Sequence, residues 1–128
     1  MGEPLFKELS DRILGGIFRV HNALGPGLLE SAYEGACVIE FRRMGLEVER
    51  QAVYPLYYSG ELAGAYVADL VVDGTVILEL KSVHALTAAM EAQLLNYLRL
   101  SGAPVGYLVN FRNARVEWKR RVVSGEGK

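Results

Sequence analysis

Apolar residues recur at three- and four-residue intervals at the start of the chain, as Leu5, Leu9, Ile13, Ile17, Val20 and Leu24. That spacing predicts an amphipathic helix. Gly15-Gly16 interrupts it, weakening the helix by about 1 kcal/mol per glycine relative to alanine. The tripeptide Gly25-Pro26-Gly27 ends it. A second helix is expected from about Leu28 to Met44, with Leu29, Tyr33, Ala36, Cys37 and Phe41 inward and Gly45 just past its end. From Leu46 the period changes to two, which predicts strands. "LEVERQAVY" alternates, "PLYYSGELAGAYVAD" turns at Ser59-Gly60, and "LVVDGTVILELK" is a hairpin with Asp73-Gly74 at its tip. A third helix is expected over about 85–101, with Leu86, Met90, Leu94, Tyr97 and Leu98 on its apolar side. "VGYLVNF" and "RVEWKRRV" then read as two strands joined at Arg112-Asn113.

The element order is therefore ααβββαββ. The strand–helix–strand passage over 75–111 predicts a crossover and one parallel pair within a mixed sheet. The class is α/β or α+β, with helices covering the sheet. The chain has 128 residues, 51% of them hydrophobic, which suits one domain over 1–123 with a frayed tail at 124–128. A single cysteine rules out an internal disulfide and a cysteine-built zinc site. Cys37 itself reads as a small buried hydrophobe. The formal net charge of −1 argues against a general nucleic-acid-coating role. Arg115, Lys119, Arg120 and Arg121 nevertheless form a local basic cluster. No signal peptide or membrane-length apolar run is visible, so a cytoplasmic protein without membrane contact is expected.

The chemistry concentrates in the second hairpin. Glu79 and Lys81 share one strand face, and Leu80 points to the other. A plain two-residue turn at Asp73-Gly74 would pair position 69 with 78 and put Asp69 on the face away from Glu79. An odd-length loop or a bulge would instead set Asp69 against Glu79. The second arrangement is the one expected here. Two carboxylates ~5 Å apart at an effective dielectric of ~20 repel by about 3 kcal/mol. Lys81 offsets part of that. A divalent cation would offset more, and oxygen-only ligation suits Mg²⁺ or Mn²⁺, with the Leu80 carbonyl as a further donor. Elsewhere, Glu30 and Tyr33 fall on one side of the second helix, and Gln93 and Tyr97 on one face of the third.

Gly27-x-x-Glu30-x-x-Tyr33 resembles the signature of the GxxExxY proteins, whose fold is that of the PD-(D/E)XK nuclease superfamily. The resemblance covers nearly the whole chain: "VHNALGPGLLESAYE", "GLEVERQ", "YVAD", "VILELK", "AQLLNYL", "GYLVNF" and the closing "WKR". It implies a restriction-endonuclease-like α/β fold, a mixed sheet flanked by helices. Asp69 matches the superfamily aspartate and Glu79-x-Lys81 its (D/E)-x-K; Ala68 stands where the motif has proline. Gln93-x-x-x-Tyr97 is similar to a motif of the recombination-exonuclease branch. On this resemblance Glu30, Asp69, Glu79 and the Leu80 carbonyl hold Mg²⁺ or Mn²⁺. Lys81 orients the attacking water, and Gln93 and Tyr97 hold a phosphate or that water. His21 matches the family's "VH", and His84 is a weaker candidate. The implied function is metal-dependent hydrolysis of nucleic acid, DNA first. The alternative is a non-catalytic nucleic-acid- or protein-binding assembly module, acting as a homodimer or with a protein partner.

Overall fold

The structure, a computed structural model, describes residues 6–123. Leu5 and the tail 124–128 lie outside the described residues. The elements are α1 (Lys7–Leu24), α2 (Glu30–Arg43), β1 (Val48–Tyr58), β2 (Glu61–Val72), β3 (Val76–Lys81), α3 (Ala88–Ser101), β4 (Val105–Asn110) and β5 (Glu117–Val122). Their order is the ααβββαββ expected from the periodicity. The five strands form one mixed sheet in the order β1-β2-β3-β4-β5. All neighbours are antiparallel except β3 and β4, which α3 connects as a parallel pair.

The helices divide the core in two. One cluster joins Ile13, Ile17, Tyr33, Cys37 and Phe41 of α1 and α2 to Leu78, Leu80, Tyr107 and Val109 of the sheet. On the other face, Leu94 and Leu98 of α3 pack against Ile77, Leu108 and Ala68. Cys37 is fully buried, and burial pushes its thiol up to about 12, which fits the small-hydrophobe reading.

Two expected positions differ. Leu29, expected on the buried stripe of α2, is 79% exposed, because the helix begins at Glu30 rather than near Leu28 and Leu29 stands at its N-cap. The third helix begins at Ala88 rather than near 85. Thr87 caps it by accepting the Met90 N–H at 3.2 Å, while Leu86 still packs on the α3 side of the core.

The glycine pair of α1 does not break that helix. Gly16 is a point of close approach: a Cβ there would lie 2.8 Å from the Phe41 ring and 3.2 Å from the Met44 sulfur. Gly106 does the same on the opposite face, where a Cβ would lie 2.9 Å from both Leu94 and Leu98. Glycine at these two places sets how closely α2 meets α1 and α3 meets the sheet.

Candidate active site

The hairpin between β2 and β3 decides whether the acids meet. Its register pairs Leu70 with Leu78, Val71 with Ile77 and Val72 with Val76. The loop therefore holds three residues, and one step further along the register Asp69 stands opposite Glu79. The odd-length loop is what the structure contains. Asp73 and Gly74 both take left-handed backbone, φ 51° and 63°, and Thr75 N–H closes the turn on Val72 O at 3.0 Å. Asp73 is also tied to Glu47: its N–H donates to the Glu47 carbonyl, and its Oδ1 accepts the Glu47 N–H, each at 2.8 Å. Those bonds carry the β1–β2 register one step past Val48–Val72, and Asp73, Gly74 and Thr75 form the loop to β3.

Beyond that loop the first hairpin changes face. Leu70 and Val72 lie in the core under α1 and α2, whereas Tyr66 and Ala68, of the same parity, lie under α3. Strand β1 does likewise, with Val48 on the first face and Ala52 and Tyr54 on the second. The change falls at Gln51 and Asp69. Gln51 has φ 55°, and the β1–β2 pairing skips from Arg50–Leu70 to Ala52–Ala68. Such an irregularity re-aims side chains and frees backbone groups.

Asp69 is half-buried and Glu79 is 9% exposed. The Leu80 N–H donates to Asp69 Oδ2 at 2.8 Å. On the other edge of β3, Phe111 N–H donates to the Lys81 carbonyl at 3.0 Å. Peptide groups alternate along a strand, so the polar groups of Leu80 point toward Asp69 rather than into the β4 ladder. The Tyr66 hydroxyl donates to Glu79 Oε2. Burial pushes the Glu79 carboxyl up to about 7; the Tyr66 hydrogen bond opposes the rise and the Asp69 charge adds to it. Burial also raises Asp69, against the Leu80 hydrogen bond. The Lys81 charge favours the ionised form of both acids.

From α3, Tyr97 stacks on Tyr66 with ring centroids 3.6 Å apart and planes 15° apart. Tyr54 continues the stack on the other side, 5.9 Å from Tyr66. Gln93 is exposed and hydrogen-bonds to Tyr97. Gln93 and Tyr97 thus reach Glu79 through Tyr66.

Glu30 is placed differently. Its carboxylate accepts the Ser82 N–H at 3.2 Å, one residue beyond Lys81, and Ser82 Oγ donates to the Leu28 carbonyl at 2.8 Å. Tyr33 completes this clamp: its hydroxyl donates to the Gly25 carbonyl at 2.6 Å and accepts Leu28 N–H, and its ring stacks on Phe111 at 4.3 Å. The G-x-x-E-x-x-Y stretch therefore ties the α1–α2 loop to the end of β3. The acid of α2 whose charge acts on Asp69 is Glu34, one turn along the helix, held by Arg50 at 2.5 Å and Gln51 at 2.9 Å. Among the described residues no three Asp, Glu, His or Cys side chains cluster as a ready metal site. Asp69, Glu79 and the Leu80 carbonyl are an all-oxygen set with two carboxylates, and they fit an ion such as Mg²⁺ that keeps water and substrate oxygens in its remaining positions.

Both histidines lie apart from the carboxylates. His21 Nε2 is 3.2 Å from the Phe111 carbonyl and 2.9 Å from the Asn113 carbonyl. Both are acceptors, so Nε2 carries the hydrogen and His21 ties α1 to the β4–β5 loop. His84 is exposed, and its carbonyl accepts the Asn113 side-chain amide at 3.4 Å.

Sequence reasoning missed Glu34, Gln51 and Tyr66. Glu34 had a signal, four positions after Glu30 on the same helix face. Tyr66 and Gln51 had none, because their approach depends on the change of face in the first hairpin.

No curated protein matches the chain. Among solved structures, the crystal structure of SSO0001 is similar with a TM-score of 0.50 and 18% identity, over 76% of this chain and 55% of that one. The chain thus spans about half the length of that protein. LHK-Exo, an alkaline exonuclease from Laribacter hongkongensis solved in complex with dAMP, is similar with a TM-score of 0.50 and 10% identity, over 91% and 83% of the two chains. At these identities both likenesses speak to the fold. A family model spans residues 7–121, nearly every residue placed above, and it shows that the chain belongs to the PD-(D/E)XK nuclease superfamily.

Proposed function

We propose that this protein hydrolyses phosphodiester bonds of nucleic acid, DNA first, with Mg²⁺ or Mn²⁺ bound at Asp69 and Glu79. We place it, on Gly27, Glu30 and Tyr33, in the GxxExxY branch. The observation that carries the reading is the convergence of Asp69, Glu79, the Leu80 peptide and the Lys81 charge where β2 meets the end of β3. Two adjacent carboxylates in a half-dry site, both raised by burial, form a place where a divalent ion is favoured over two protons near neutral pH.

The ion, when bound, supplies Lewis acidity at the phosphoryl oxygen and a more acidic water. Lys81 orients the attacking water and meets the negative charge that develops on the phosphoryl oxygens. Tyr66 holds the Glu79 carboxylate in place, and Tyr97 fixes the Tyr66 ring. Gln93, exposed at the same end of α3, reaches for a substrate phosphate. Glu30 positions Ser82 and hence the end of β3, from where it can join the ion through water once substrate is bound.

The competing reading is an assembly module without catalysis. One observation favours it: the outer half of the β1–β2 hairpin leaves Val53 63%, Tyr57 62% and Leu62 66% exposed on a face with no helix over it. Two measurements decide. Mn²⁺ is expected to raise the melting temperature, by about 2.7 kcal/mol of stabilisation at one hundred times its dissociation constant, and Asp69→Asn or Glu79→Gln should abolish the rise. Labelled single- and double-stranded DNA and RNA should be cut with Mn²⁺ present, with Lys81→Ala slower by at least a hundredfold. Metal binding without cleavage of any of these substrates would overturn the nuclease in favour of the module.

A further inference from the structure

A second cavity, of about 370 Å³, opens between α1 and the loop from β4 to β5. Phe18, Asn22, Arg115 and Trp118 line it, with His21 at its base. We infer that this pocket receives an unpaired nucleobase of a single-stranded nucleic acid, an inference that rests on the nuclease reading and assigns the substrate strand a second point of attachment.

Four observations lead there. Two aromatic rings, Phe18 40% and Trp118 39% exposed, line one pocket. Exposed aromatic faces beside a guanidinium are the usual means by which proteins stack single-stranded bases, since every base offers a π-face. Arg115 supplies a cation, Asn22 an amide that can both donate to and accept from a base edge, and no carboxylate is among the lining residues. The volume lies within the range of small-ligand sites. The pocket walls are also held: the His21 N–H is shared by the Phe111 and Asn113 carbonyls, so the loop carrying Arg115 is anchored at its start. Trp118 rests against Tyr107 at 5.9 Å on its inner side.

The fourth observation is position. His21 reaches the Phe111 carbonyl at 3.2 Å, and Phe111 N–H reaches the Lys81 carbonyl at 3.0 Å. The Phe111 backbone thus links the pocket to the end of β3, with the pocket on the α1 face of the sheet and the Lys81 side chain, like Glu79, on the α3 face. A further depression of similar size is lined by Arg112, Glu30 and Ser82, the last of these directly following Lys81. A single strand held at Lys81 would pass round the end of β3, by Arg112, to bring a base further along it into the pocket. A duplex is disfavoured as occupant, because its bases are stacked and its backbone calls for a run of cations where the pocket offers one.

Trp118 is the one tryptophan of the chain, so its emission reports this pocket. Metal-free Asp69→Asn protein, which cannot turn over substrate, is titrated with short labelled single-stranded DNA and, separately, RNA, following label anisotropy and tryptophan emission together. Saturable quenching by a third or more is expected, at the same midpoint as the anisotropy. Phe18→Ala and Arg115→Ala, both at the surface, should weaken binding at least fivefold while circular dichroism stays unchanged. Quenching by DNA alone or by RNA alone supports the pocket and says which strand it takes. Binding by anisotropy with steady emission, or equal affinity in both variants, overturns the pocket and leaves the nuclease standing. Neither binding nor cleavage by the wild-type protein would overturn both.

Discussion

Glu79 shows how a single side chain is governed by its surroundings. In the sequence it is one of two charged residues on an apolar strand. In the fold it is nearly dry, faces Asp69 and accepts the Tyr66 hydroxyl. Tyr66→Phe keeps the stack on Tyr97 and removes only the donor. Because that hydrogen bond favours the ionised acid, its loss should move the Glu79 titration above about 7 and cost about 1–2 kcal/mol of stability where the carboxylate is charged. Carboxyl-carbon NMR of the metal-free protein measures this; an unchanged midpoint would mean the bond is not made in solution. Glu79 and Lys81 were legible together from spacing because alternation along a strand is a local rule; Asp69 joins them only through the three-residue loop. Tyr66 was not legible: it lies three residues before Asp69, a separation that in a regular strand would place them on opposite faces.

At the scale of the element, the two glycines of α1 make a matched pair. Helix propensity alone treats them alike, each costing about 1 kcal/mol. Gly15 has room: a Cβ would meet only the end of Arg19, at 3.6 Å. Gly16 does not, since the Phe41 ring is in the way. Gly15→Ala should therefore stabilise by about 0.5–1 kcal/mol, and Gly16→Ala should destabilise by about 1–3 kcal/mol through overpacking. Urea unfolding of both variants tests this, and a Gly16→Ala protein as stable as Gly15→Ala would sink the packing argument. Element types and order followed from periodicity. Their ends followed less well, as at Leu29 and Thr87, because a cap is chosen by which backbone groups find partners after packing.

For the whole molecule, the buried acids make stability depend on pH. A carboxyl raised from 4.5 to about 7 on folding binds more proton in the folded than in the unfolded state between those values. Its contribution is thus fully present below about 4.5 and is lost as pH rises through 7, by at most about 3 kcal/mol. Metal-free protein should melt progressively lower from pH 4.5 to 7.5 relative to Glu79→Gln, and parallel melting curves for the two would refute the linkage. The same scale separates what each level of description decided. The sequence by itself determined the eight elements and the single sheet layered with helices, because these rest on period and short-range pairing; the odd loop was expected only because the chemistry needs Asp69 beside Glu79, against the simplest reading of the Asp73-Gly74 turn, and the register contains it. Only the tertiary structure decided that Glu34 rather than Glu30 acts on Asp69, that Tyr66 links α3 to the acids, and that His21 closes a pocket beside Trp118. Each of those contacts joins residues whose meeting depends on how the first hairpin changes face and how closely two helices approach, and no local pattern records either distance.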